Sequence, residues 1–115
     1  MAELLSGESF TVQTSASSDS TAYKRQIHDQ LTGACEIVGE GAVSMHLAFS
    51  VGARRNWLNL WKATIDDMDP ILGQAVPRWP WHPCDGRIVE LGLHRSIEPS
   101  LKNEVVISIN ASPKT

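Results

Sequence analysis

The sequence predicts an α+β domain in which helices pack on a small mixed sheet, in the order β-α-β-α-β-β. Three observations lead there. Ala42 to Val51 alternates apolar and small residues with a period of two. Two stretches, about Thr21 to Thr32 and Arg54 to Met68, repeat their apolar residues at helical spacing. Two runs near the C-terminus, Arg87–Leu93 and Glu104–Ala111, are rich in β-branched residues and leucine. Strands mixed with two helices make a two-layer domain.

Taken in order, residues 1–8 read as a flexible N-terminal tail, followed by a single domain over 9–112. Ser9–Thr14 alternates and carries β-formers, giving a first strand. Thr14 to Thr21 is a polar loop offering several helix caps. The first helix places Tyr23, Ile27 and Leu31 on one face, with Gly33 as its stop and Lys24, Arg25, His28 and Asp29 outside. In the second strand Val43, Met45, Leu47, Phe49 and Val51 face one way. Ala42, Ser44, His46, Ala48 and Ser50 face the other, a surface small enough to pack under a helix or a partner.

The second helix carries Trp57, Trp61, Ile65 and Met68 as its apolar stripe, with Leu58 widening it. Asn59, Lys62 and Asp66 follow i, i+3, i+7 and share another flank, so three ligand-capable groups point together. Asp69-Pro70 and Gly73 end the helix. The loop Gln74–Gly86 holds three prolines, Trp79 and Trp81, and leads to the last two strands. Their connection, His94 to Asn103, is polar.

The chain of 115 residues fits one domain. No apolar run approaches the roughly 20 residues of a membrane span, and the first residues lack the pattern of a signal peptide, so a cytoplasmic protein with no membrane partner is expected. Cys35 and Cys84 are far apart and read as reduced thiols. The net charge of −3 argues against nucleic-acid binding through the whole surface. Even so, six of the ten basic residues lie between Arg54 and Arg95, as a local patch would require.

The run Asn56-Trp57-Leu58-Asn59-Leu60-Trp61-Lys62-Ala63-Thr64-Ile65-Asp66, preceded by a strand and an Arg-rich turn, resembles the helix motif of the RusA-type Holliday-junction resolvases. Trp81-His82-Pro83-Cys84-Asp85-Gly86-Arg87-Ile88-Val89-Glu90 resembles that family's downstream W-x-D-D element, and Glu104–Ile109 falls where the family has a strand. The resemblance covers roughly residues 42–110. It implies a RusA-like fold and a homodimeric endodeoxyribonuclease of DNA recombination and repair, cutting four-way junctions with Mg²⁺ or Mn²⁺. Such a metal would stabilise developing charge and activate water.

Carried onto this chain, the resemblance makes Lys62, Asp66 and Asp85 the catalytic candidates, and Asp85, Asp66 and Asn56 the metal candidates. Arg54, Arg55, Lys62, Arg87 and Arg95 would bind DNA. The chain departs from the motif where Asn56, Leu58 and Cys84 stand at aspartate positions, and Asp67 and Glu90 are the nearest substitutes. One carboxylate with neutral ligands holds Mg²⁺ weakly. An inactive relative that binds branched DNA, or a protein-interaction and regulatory module with a protein partner, are therefore the alternatives. His82, Cys84 and Asp85, completed by His46 or His94, would suit zinc better than magnesium, although their spacing matches no standard zinc motif. Cys84 with His82 as base is a weaker nucleophile arrangement, and Trp79 and Trp81 are candidates for stacking on unpaired bases.

Overall fold

The computed structural model describes residues 8–17, 20–32, 41–53, 55, 57, 59–73 and 83–114. Strand β1 (Glu8–Thr14) is followed by α1 (Thr21–Thr32), β2 (Val43–Val51), α2 (Leu60–Ile65), α3 (Asp69–Leu72), β3 (Ile88–Ile97) and β4 (Val105–Pro113). Single 3₁₀ turns at Asp85–Arg87 and Pro99–Leu101 precede the last two strands. The four strands form one mixed sheet in the order β1-β4-β2-β3. β4 runs antiparallel to both β1 and β2, whereas β2 and β3 are parallel. This is the α+β class with a mixed sheet that the sequence predicts. Among the described residues it has three α-helices rather than two.

The core face follows from the period-two alternation. Val43, Met45, Leu47, Phe49 and Val51 of β2 are all buried. Their β4 partners on that face, Ala111, Ile109, Ile107 and Val105, are buried too. Val12 of β1 extends the face beside Ile107. Against it lie Tyr23, Ile27 and Leu31 from α1, and Leu60, Ile65, Met68, Ile71 and Leu72 from the α2–α3 region. Complete burial of a leucine or isoleucine contributes roughly 1.5–3 kcal/mol, so this one layer supplies the main drive to fold.

Ser20 opens α1, its hydroxyl accepting the Tyr23 amide at 3.2 Å. The Tyr23 hydroxyl lies 2.8 Å from the Thr64 oxygen, which itself donates to the Leu60 carbonyl. Burial lifts the Tyr23 phenol to about 12, so it stays neutral.

Of the long helix expected over 54–68 the described residues form α2 alone, and a second short helix, α3, follows it. Trp57 is outside the helix, and α2 starts at Leu60 with Asn59 as its N-cap. Asp66 is the C-cap, its amide donating to the carbonyls of Lys62 and Thr64. Pro70, expected to end a helix, sits in the first turn of α3, where its missing N–H costs nothing. β3 runs on to Ile97, four residues into the expected His94–Asn103 loop, because its pairing with β2 continues to Val51↔Ile97. β4 likewise reaches Pro113. Gly33 and the Gln74–His82 part of the proline-rich loop lie outside the described residues.

Gly52, after β2, is where the turn ahead of β4 comes closest. A Cβ there would sit 1.9 Å from the Lys102 carbonyl oxygen, and backbone cannot yield as a flexible side chain does. Gly52→Ala is therefore expected to lower stability by roughly 3 kcal/mol or more, with an unchanged m-value in urea unfolding.

Candidate functional site

α2 and the start of β3 face each other across a cleft of about 320 Å³ lined by Trp61, Ile65, Asp85, Ile88, Val89, Glu90 and Leu91. The 3₁₀ turn Asp85–Arg87 carries Asp85 to the rim, where it is exposed. No hydrogen bond or ion pair engages its carboxylate among the described residues. Lys62, exposed on α2, holds its ammonium 5.7 Å from the centroid of Trp61. Half-buried Trp57, just ahead of α2, has the Arg95 guanidinium 4.7 Å from its ring centroid. Arg95 pairs with Phe49 on the helix-facing side of the sheet. These two cation–aromatic pairs therefore lie along one flank of the molecule, with Trp61 running into the Asp85 cleft.

The other expected site residues are placed differently. Asp66 ion-pairs with Lys24 of α1 at 3.5 Å and does not line the cleft. Asn59, at the N-cap, is exposed and makes no side-chain capping bond. Arg55 donates to the carbonyls of Asn103 at 2.9 Å and Ala16 at 2.5 Å, tying two loops together. Arg87 donates to the carbonyls of Gly41 at 2.8 Å and Leu72 at 2.9 Å. Both arginines thus fix chain crossings. Arg54, Asn56, Trp79, Trp81 and His82 lie outside the described residues, and with them the proposed His82–Cys84 zinc and nucleophile sets.

Of the possible substitute carboxylates, Glu90 faces the opposite side of the sheet. Its Oε1 accepts the Ser44 hydroxyl at 2.5 Å, and its Oε2 lies 3.3 Å from the Lys114 ammonium. Those two bonds, the Ser44 one foremost, hold its carboxyl below the usual range. His46 Nε2 is 4.0 Å from the same carboxylate, and its ring lies over Gly92, where a Cβ would come within 2.3 Å of Nδ1. This Ser44–His46–Glu90–Lys114 group was legible only as separate letters, because the register of β2 on β3 brings it together.

Asp67 turns into the core and is fully buried, with no hydrogen-bond partner for either carboxyl oxygen among the described residues. Desolvation above all lifts it to about 9; Lys24 opposes the shift, while Asp66 and Asp69 add to it. It is a neutral acid at pH 7. Asp69 is buried as well, 3.0 Å from His28 Nε2 of α1.

The Mg²⁺ that the resemblance implies needs several converging oxygens. Among the described residues the site offers it the Asp85 carboxylate, while Asp66 and Glu90 are held elsewhere and Asp67 is protonated and enclosed. This donor set does not fit the ion. No protein-family model matches the chain, and no curated protein matches it.

The Asp67 environment sets a pH dependence. The unfolded carboxyl ionises near 3.8, whereas the folded one keeps its proton until about 9. Between those values the folded state holds a proton that the unfolded state has lost. Stability therefore falls as pH rises through the window, by about 1.4 kcal/mol per pH unit from this group. Asp67→Asn should remove that slope and make the protein more stable than wild type at pH 8, with the difference vanishing near pH 4. Urea midpoints measured from pH 4 to pH 9 check both statements.

Proposed function

We propose that this chain is a RusA-like module that binds branched DNA through the flank formed by Trp57, Arg95, Trp61 and Lys62. The observation that carries the reading is the pairing of a cation with an indole twice along one edge of the molecule, beside an uncommitted aspartate. Lysine and arginine neutralise phosphates, and a half-exposed indole stacks on a base that has lost its partner. A duplex keeps its bases stacked; a junction exposes some at its crossover. The preference for branched substrates follows from that difference. The protein's net charge of −3 confines attraction to this flank and repels uniform duplex elsewhere.

Binding rather than cutting is the reading proposed, because among the described residues no second carboxylate is free beside Asp85 to share a metal. The resemblance of the Asn59–Lys62–Asp66 row and of Asp85 to the resolvase motif supports the family, and the α+β sheet is compatible with it. Phosphodiester cleavage, the family's chemistry, is an outcome for the same experiment to detect.

A labelled four-way junction and a linear duplex of the same length should be titrated with protein across a salt series, with Mg²⁺ or Mn²⁺ present in parallel. Junction binding is expected to exceed duplex binding, with a slope of log affinity against log salt of about −2 for two phosphate contacts. Lys62→Ala and Arg95→Ala should each reduce that slope by about 1. Absence of junction binding at low salt would leave the protein-interaction reading. Metal-dependent cleavage lost in Asp85→Asn would establish an endonuclease.

A further inference from the structure

The two edges of the sheet are finished differently. At β1 the Gln30 side-chain amide reaches across from α1, its oxygen accepting the Gln13 N–H at 2.9 Å and its nitrogen donating to the Gln13 carbonyl at 2.7 Å. At β3 the backbone pairs with β2 alone among the described residues, which leaves the far side of its ladder open. β3 has neither proline nor lysine, the usual guards of such an edge.

Beside that open ladder runs an apolar row. Val89, Leu91, Leu93 and Ile97 are the exposed large apolar side chains among the described residues, and all four lie on β3. Leu91, Leu93 and Ile97 pair with Met45, Leu47 and Val51, so the row continues the helix side of the sheet outward. At the start of β3 the row runs into the Asp85 cleft, where Val89 and Leu91 line one wall and Trp61 and Ile65 the other. The cleft, about 320 Å³, admits one long side chain. The exposed Asp85 carboxylate stands at its rim, unpaired among the described residues. Lys62 does not neutralise it, its described contact being the Trp61 ring.

We propose that β3 is a docking edge for an extended peptide segment of another protein, one that alternates apolar residues and carries an arginine or lysine at the position entering the Asp85 cleft. Each property of this occupant answers a property of the edge. An unpaired ladder is satisfied by extended backbone, whose side chains alternate, so every second residue of the peptide meets Leu93 and then Leu91. The next residue on that side reaches Val89 and the cleft. There an apolar stem lies against Trp61 and Ile65 while its cationic head meets Asp85. The net charge of −3 favours a partner of that sign. Antiparallel alignment, slightly the more stable ladder, puts the cation at the C-terminal end of the segment. Docking here does not rest on DNA binding, because it uses the strand edge and Asp85 rather than Lys62 and Arg95.

The probe is an acetylated and amidated peptide, Thr-Val-Thr-Val-Thr-Val-Thr-Arg-Ser, labelled with fluorescein and held at tracer concentration without DNA. Fluorescence anisotropy should show saturable binding as the full chain is titrated to about 500 µM. Leu93→Lys should weaken binding at least about tenfold with an unchanged circular-dichroism spectrum. Asp85→Asn should weaken it about threefold, in keeping with an ion pair at a rim. Citrulline in place of the peptide's arginine keeps the shape and removes the charge, and should bind wild type and Asp85→Asn alike. N-methylation of alternate peptide amides tests the ladder without altering the protein. Methyl groups on the edge facing β3 should abolish binding, and those on the other edge should spare it. Absence of saturation overturns the proposal, whether the edge stays open or a second copy occupies it. So does a folded Leu93→Lys that binds like wild type, or equal binding of the two N-methylated peptides. Asp85→Asn weakening the citrulline peptide as much as the arginine one overturns the assignment of the cation to the cleft.

Discussion

The insertion of β4 between β1 and β2 is the constraint on which the rest of the structure depends. β1 and β2 are both antiparallel to β4, so they are parallel to each other with one strand's width left between them. The last strand of the chain fills that gap. Until it arrives, β1 has no strand partner, and the buried side chains of β2 have a neighbour on one side only. The nine-residue β2–β4 register, from Val43↔Pro113 to Val51↔Val105, therefore closes the domain, and its contacts are distant in sequence. Because both strands alternate with a period of two, one register buries Val43, Met45, Leu47, Phe49 and Val51 with Val105, Ile107, Ile109 and Ala111 on the helix side; a slip of one residue would expose them. Gly52 and the turn before β4 meet at the end of this pairing, which is why that contact is so close.

The strands and α1 were legible in the sequence because each obeys one strong local rule. The alternation of 42–51 predicts the two faces of β2, Ser44 being the one residue of its open face that is buried, and the spacing of Tyr23, Ile27 and Leu31 predicts the buried face of α1. The region 54–72 was not legible in the same way. Its apolar residues fit a continuous helix, yet Arg55 and Trp57 lie outside any helix and α2 ends at Asp66-Asp67, where Asp67 goes inward. Helical periodicity is indifferent to which member of an Asp-Asp pair is buried. Tertiary packing decides it: Lys24 on α1 captures Asp66, and His28 takes Asp69. The polar side chains of α1 that looked like a solvated face thus hold α2 and α3.

The candidate site shows the same limit for charge. A list of arginines between Arg54 and Arg95 describes a basic patch, but charge alone does not say what the fold has already used. Arg55 and Arg87 each bind two main-chain carbonyls, a task suited to a forked guanidinium with several donors. Such residues make a surface less basic than its composition. Lys62 and Arg95 differ because their described contacts are aromatic faces, which leave N–H groups turned toward solvent or ligand. Asp85 belongs with them for the complementary reason: among the described residues nothing pairs with its carboxylate.

The departures from local consistency are concentrated around α2 and α3. A neutral aspartic acid is enclosed with no hydrogen-bond partner among the described residues, another aspartate is buried beside a histidine, and two helices shorter than two turns follow one another. β2 and β4 keep their alternation apart from the buried Ser44, and β1's edge is closed by Gln30. Uniform relaxation of selection on the fold would scatter such departures through the chain. The departures around α2 and α3 lie beside the segment that carries Lys62 and borders the Asp85 cleft, and β3 adds a second group of them with Val89, Leu91, Leu93 and Ile97 exposed. Two short helices joined by a tight turn can place Trp61 and Ile65 against β3 while Met68, Ile71 and Leu72 reach the core. A single straight helix would have to give up one of those contacts. The burial of Asp67 is then a consequence of the turn that the cleft requires.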